Sequence, residues 1–426
     1  MERNDPRYQA YVEILKEELI PAMGCTEPIA LAYAAAKARE VLGVLPDSVQ
    51  LQVSGSIIKN VKSVIVPNTG HLKGMEAAVA AGIIAGSAEK ELEVISEVSE
   101  EKKSAIRDYL QTVPITIEHT EQGHVFDIVV TERCGQDYAR VRIADYHTNI
   151  CCIEKNGTVL YEVPLLDETV QEDARADRSL LNMQDIWDFA ETADLRDVAD
   201  LLERQIRYNN AIAEEGLLGD YGANIGRVLL TTYGNDVSNR AKAKAAAGSD
   251  ARMNGCELPV IINSGSGNQG ITCSVPLIEY AKELHSGKEK LYRALIISNL
   301  VAIHEKTGIG TLSAYCGAVS AGAGAGAGIV YLCGDGYQAA IHTVVNALAI
   351  VSGIVCDGAK ASCAAKIASS VDAALLGYNM YKCNQEFKGG DGIVMKDIES
   401  TIRGIGRLGK DGMKETNEEI IRLMIG

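Results

Sequence analysis

Between Leu312 and Gly328 the chain reads Leu-Ser-Ala-Tyr-Cys-Gly-Ala-Val-Ser-Ala-Gly-Ala-Gly-Ala-Gly-Ala-Gly. Side chains this small let a helix backbone come very close to other backbones or to a bulky inorganic group, so the segment calls for tightly packed neighbours. The composition agrees. One Trp and three Phe in 426 residues leave Ala, Val, Ile and Leu to build the core, which suits closely packed helices. The apolar stretch 314–333 has the length of a membrane span. It is dominated by Ala and Gly, contains Ser320 and Tyr331, stands alone and lacks flanking anchors, so a buried helix is expected.

A chain of this length has room for two or three domains and a large core. Its net charge of -16 argues against a nucleic-acid partner, because phosphate contacts need clustered Lys and Arg. Met1–Pro6 leads straight into an amphipathic helix, without a charged and then apolar leader, and a cytoplasmic location is expected. In that compartment eleven cysteines read as reduced thiols or metal ligands, not as a disulfide framework.

Apolar residues at helical spacing predict a helix over 7–20, ending near Pro21. Gly24-Cys25 then opens a second one, with Thr26-Glu27-Pro28 as N-terminal chemistry for the Ala-rich run Ile29–Leu42. From Val49 to Val163 the texture turns β-like. Strands are expected at Gln50–Ser54, Val61–Val66, Ile115–Glu118, Val125–Thr131, Tyr138–Ala144, Ile150–Ile153 and Val159–Val163, with helices at Met75–Ala88 and Glu91–Leu110. Gly123, Gly135 and the hairpin pair Asn156-Gly157 mark turns. Pro164–Asp177 fits an acidic linker, and helices follow at Asn182–Ala190, Val198–Glu215, Ala241–Met253 and beyond. The expected fold is α+β: a mainly helical catalytic domain built from residues 1–45 and 173–426, with a small α+β unit containing an antiparallel sheet inserted at 46–172.

Four cysteines stand out. Cys316 opens the small-residue run; read from that segment alone it is either a ligand or one more small core residue. Cys356 and Cys363 are seven positions apart, and Asp357-Gly358 between them breaks a helix, so that the thiols converge from a loop and the next helix start. That spacing does not match common zinc patterns. Three thiols of this kind suit a metal cluster. Cys25, far away in sequence, sits at a helix N-terminus, where the dipole lowers a thiol pKa. The loop Ser264-Gly-Ser-Gly-Asn-Gln-Gly270 precedes a helix and reads either as a carboxylate site built from backbone N–H groups or as an ordinary turn. It is neither a P-loop nor a dinucleotide fingerprint. The turn Pro67–Gly74 with His71 reads equally as a substrate contact or as structure, His147 and His304 read more readily as structural, and Cys273 is ambiguous between a buried thiol and a functional one.

Taken in order, Gly24-Cys-Thr-Glu-Pro28, Ser264–Gly270, Ser313-Ala-Tyr-Cys-Gly-Ala318 and Val355-Cys-Asp-Gly-Ala-Lys-Ala-Ser-Cys363 resemble the stand-alone L-cysteine desulfidases, relatives of the α-chain of iron–sulfur-dependent L-serine dehydratases. The resemblance implies that Cys316, Cys356 and Cys363 bind a [4Fe–4S] cluster and that Cys25 takes the substrate α-proton. Some bacterial serine dehydratases close the fourth iron with a C-terminal cysteine. The tail Ile420–Gly426 has none, so the fourth iron is expected to be open. The implied reaction is β-elimination of L-cysteine to sulfide, ammonia and pyruvate, with Ser264, Ser266, Asn268 and Gln269 as substrate-binding residues. L-Serine dehydration on the same scaffold, a pyridoxal-phosphate lyase and a non-catalytic iron–sulfur homologue are the alternatives. A small amino acid is the expected partner, without nucleic acid or membrane, and a homodimer is expected from the dehydratase relatives.

Overall fold

The computed structural model describes residues 1–120, 124–163, 165, 176–310 and 312–425. The expected linker over Pro164–Asp177 and the turn at Gly123 fall largely outside them. The first half runs α1 (Pro6–Glu18), β1 (Pro21–Met23), α2 (Thr26–Leu42), β2 (Ser48–Ser54), α3 (Gly55–Val61), α4 (Gly74–Ala85), α5 (Glu100–Thr112), β3 (Ile115–Thr120), β4 (Asp127–Cys134), β5 (Asp137–Ala144), β6 (Ile150–Lys155) and β7 (Thr158–Glu162). The second half runs α6 (Met183–Thr192), α7 (Ala199–Leu218), α8 (Ile225–Tyr233), α9 (Val237–Met253), β8 (Pro259–Ile261), α10 (Gly267–Glu283), α11 (Lys288–Ile309), α12 (Gly317–Cys333), α13 (Tyr337–Val351), α14 (Ser362–Lys382), α15 (Ile398–Arg407) and α16 (Lys414–Ile425). The fold is mainly α within an α+β class. Among the described residues no helix is long and apolar enough to cross a membrane.

The small-residue run is the axis of the helical part. As α12 it packs among α10, α11, α13 and α14. Each glycine admits a different neighbour: a Cβ on Gly322 would lie 2.8 Å from the Ser370 backbone, and one on Gly324 2.4 Å from the Ser298 carbonyl. On Gly328 it would meet Leu277 at 2.5 Å. The glycines thus accommodate helices, and only the first turn of α12 faces the site.

The six-stranded sheet has the order β3-β2-β4-β5-β6-β7. Four of its five pairings are antiparallel, as expected; β3 joins β2 in parallel because α3, α4 and α5 carry the chain across between them. Helix α2 packs on β4 and β5, and α4 packs on α2. Two expected elements differ. Val61–Val66 forms no strand: α3 ends at Val61, and the buried Val64 and Val66 sit in a turn closed by the Val66 N–H donating to Leu72 O at 2.9 Å. Their apolar character serves burial, and the only pairing among the described residues here is the single bridge of Ile65 with Lys73. Glu91–Leu110 is not one helix. A 3-10 turn over Ala88–Glu93 comes first, and α5 starts afresh at the cap Ser99, whose hydroxyl accepts from Lys102 N.

A two-stranded sheet joins the chain's distant parts. β1 pairs antiparallel with β8, Pro21 opposite Ile261 and Met23 opposite Pro259. This sets the Cys25 turn beside the loop Ser264–Gly270.

Candidate active site

Cys25 caps α2 in extended conformation and Cys316 caps α12 in the same way, each without a side-chain capping bond. Cys356 lies in the loop between α13 and α14, and Cys363 in the first turn of α14. One antiparallel bridge, Tyr315 opposite Val355, ties two of these loops: Cys316 N donates to Ile354 O at 3.2 Å and Cys356 N to Ala314 O at 2.6 Å. The second loop is pressed onto α3. Gly358 has a left-handed φ of +91°, and a Cβ there would lie 2.1 Å from the Lys59 carbonyl oxygen, so only glycine fits.

All four cysteines line one cavity of about 110 Å³, with Glu27, Asn60, Arg252, Ser266, Asn268, Gln269 and Lys306 in its wall. A larger hollow of about 540 Å³ lies against residues 89–97 and carries glutamates but no thiol or imidazole.

The electrostatics of Cys25 reverse the expectation from the helix dipole. Burial raises its thiol well above the ordinary value and Glu27 raises it further, against the opposing pull of Arg252. Sγ donates to Glu27 Oε2 at 3.2 Å. Desolvation and a carboxylate acceptor outweigh a dipole worth only about 0.3–1 kcal/mol. Burial pushes Glu27 up as well, yet the facing His147 ring and the Cys25 thiol hold its carboxyl down at about 2. Glu27 Oε1 also accepts from Asn60 Nδ2 at 2.9 Å, and His147 Nε2 stands 3.8 Å away from it without a hydrogen-bond partner. Thr26 Oγ donates to Gly265 O at 2.9 Å, which locks the α2 start onto the Ser264–Gly270 loop.

The other three thiols feel one another. Burial raises Cys316, and the neighbouring Cys356 and Cys363 add to it; burial likewise raises Cys363, with Cys356 adding. Two buried lysines lie close by. Burial lowers Lys59 and brings Lys306 down to about 8, while Cys356 and Cys316 act in the opposite direction on both. Among the described residues no three His, Cys, Asp or Glu side chains are arranged to hold a single metal ion. A cubane makes a different demand, because each thiolate binds a different corner and the sulfurs stand farther apart than the ligands of one ion. Three converging thiols with buried cations behind them fit that donor chemistry.

The cavity gathers Ser266, Asn268 and Gln269 of the expected substrate loop but not Ser264, whose hydroxyl donates to Asn263 Oδ1 at 2.9 Å. His304 bonds Glu399 at 2.8 Å, His71 lies in an exposed turn, and Cys273 is buried against Ala321; none lines the cavity. Sequence reasoning overlooked Arg252, Asn60 and the carboxylate role of Glu27. Arg252 had one visible signal, a basic residue in the last turn of a helix whose second half is mostly small residues.

Known proteins resemble this chain over most or all of its length. The family described as serine dehydratase alpha chain matches residues 89–422. A UPF0597 protein of Desulfitobacterium hafniense (strain Y51) is 62% identical, covering 100% of this chain and 98% of its own. UPF0597 proteins of Lachnoclostridium phytofermentans (52% identical; 98% and 100% covered) and Treponema denticola (46% identical; 100% and 100% covered) are similar over the same span. The chain belongs to the serine dehydratase alpha chain family.

Proposed function

We propose that the protein is an L-cysteine desulfidase, eliminating sulfide from L-cysteine to leave pyruvate and ammonia, with Cys316, Cys356 and Cys363 holding a [4Fe–4S] cluster. The observation that carries this reading is that Cys25 and the three other thiols, from three separate stretches of the chain, line one cavity. When bound, such a cluster supplies an iron that acts as a Lewis acid toward the substrate.

The chain's own residues do the rest. As thiolate, Cys25 takes the α-proton; a buried thiolate with a high proton affinity is a stronger base than an ordinary one, which an α-hydrogen of low acidity requires. Glu27 Oε2 receives the hydrogen bond of the thiol so formed. The C–H and C–S electron pairs become the new double bond and leave with sulfide, respectively, and the enamine product tautomerises and hydrolyses. The largely buried wall keeps bulk water from competing for the proton.

L-Serine is the second reading, favoured by the name of the matching family. The amines that a pyridoxal reading would need are engaged: Lys306 donates to Gly310 O, and Lys366 to Asp357 and to Val355 O. Anaerobic assay of pyruvate, sulfide and ammonia with both amino acids tests the proposal. A kcat/KM higher for L-cysteine supports desulfidase, and one higher for L-serine replaces it with the dehydratase. Iron binding without turnover of either would make the protein a non-catalytic homologue. Cys25→Ala should keep the iron and lose turnover.

A further inference from the structure

Among the described residues, the cavity wall holds a cation that makes no salt bridge to a carboxylate. Arg252, near the end of α9, is 2% exposed, and its Nε has no hydrogen-bond partner. A buried guanidinium without an anion is costly, so its retention calls for one. The backbone makes room for it: a Cβ on Gly267 would lie 2.3 Å from Arg252 Nε. The guanidinium therefore rests against the first turn of α10, where the opening N–H groups of a helix lack intrahelical partners and add positive charge. Lys306, the other cation of the wall, is committed to the Gly310 carbonyl.

The same wall carries unpaired acceptors. Asn268 Oδ1, Gln269 Oε1 and Asn60 Oδ1 are buried and have no hydrogen-bond partner. Gly317 gives Gln269 its place, since a Cβ there would lie 2.6 Å from Gln269 Cδ. A positive corner and a set of neutral acceptors beside it complement a zwitterion.

We propose that Arg252, with the first turn of α10, binds the α-carboxylate of the substrate, while the amide oxygens of Asn268 and Gln269 accept from its α-ammonium group. This assignment rests on the reading of the site as an amino-acid lyase. It makes Arg252 the residue that selects free α-amino acids over amides and peptides, and it turns the α-carbon toward the wall that holds Cys25. Neutralising the carboxylate also removes a negative charge that would oppose loss of the α-proton.

The test uses the anaerobically reconstituted wild-type protein, Arg252→Met and Arg252→Lys, with L-alanine and L-alaninamide as probes, because neither has a leaving group. Calorimetry gives their affinities, and thermal unfolding checks that each variant is folded. Arg252→Met should weaken L-alanine on the order of a hundredfold and leave L-alaninamide unchanged; Arg252→Lys, which keeps the charge but not the fork, should fall between. For L-cysteine the loss should appear chiefly in KM. Undiminished L-alanine affinity in Arg252→Met, in a background where wild type turns over cysteine or serine, overturns the assignment and leaves the lyase reading standing. A loss confined to kcat and its pH profile also overturns it, by making Arg252 a modulator of Cys25. A wild type that neither binds nor turns over these amino acids overturns both.

Discussion

Cys25 and Glu27 hold one proton between a sulfur and an oxygen 3.2 Å apart, and burial and charge keep it on sulfur. The working form of a basic thiol is the thiolate, and here its pKa is raised, so activity should be low in acid and rise with pH. Measured kcat/KM should still be climbing at the ordinary thiol value of about 8.5; a plateau reached below neutral pH would contradict this. Glu27→Gln removes both the charge and the carboxylate acceptor that raise the thiol, so its profile should shift to lower pH, and its plateau should fall because a weaker base draws the α-proton less well. An unmoved profile would show that Glu27 does not govern Cys25. Part of this was legible beforehand. Among eleven cysteines, small neighbours marked Cys316, Cys356 and Cys363 and a helix start marked Cys25, while their roles came from the family resemblance. Glu27 was hidden because a carboxylate in a first helical turn is ordinary capping chemistry, and Asn60 because its segment read as the approach to a strand. The sign of the Cys25 shift was misjudged because burial depends on what packs over a helix start, which local sequence does not record.

Single elements place the site. Pairing of β1 with β8 brings the Cys25 turn to the Ser264–Gly270 loop, and the Tyr315–Val355 bridge aligns Cys316 with Cys356. Neither was readable, because three-residue strands and isolated bridges leave no periodicity. α12 was readable, since alternating Gly and Ala permit little besides a closely surrounded helix. Gly324→Ala tests that packing. Its Cβ would lie 2.4 Å from Ser298 O, and overpacking of this kind should cost about 1–3 kcal/mol in chemical denaturation. A change within about 0.5 kcal/mol would mean that α11 can yield.

Across the whole molecule the helical core tolerates a buried acid. Glu305 on α11 is buried, and burial raises its pKa well above the ordinary value, with the nearby Ser320 hydroxyl opposing. A folded pKa above the unfolded one of about 4.3 means that the contribution to stability is fully present below that pH and is lost as pH rises toward the folded value. Glu305→Gln should therefore flatten the fall of Tm between pH 5 and 9 and raise Tm at the alkaline end; an unchanged slope would show that Glu305 is not the responsible group. The general layout, helices around a small-residue axis with a separate sheet, followed from composition and periodicity. The parallel placement of β3 did not, since pairing direction depends on which helices intervene.

The proposed site requires three thiolates around one cofactor and a Cys25 left free for the substrate. Iron and acid-labile sulfide per chain, measured after anaerobic reconstitution of wild type and of the Cys25→Ser, Cys316→Ser, Cys356→Ser and Cys363→Ser variants, test it most directly. Wild type and Cys25→Ser should hold about four irons and show the charge-transfer absorption of a cluster, and the other three variants should lose both. Full iron in any of those three, or its loss in Cys25→Ser, would contradict it.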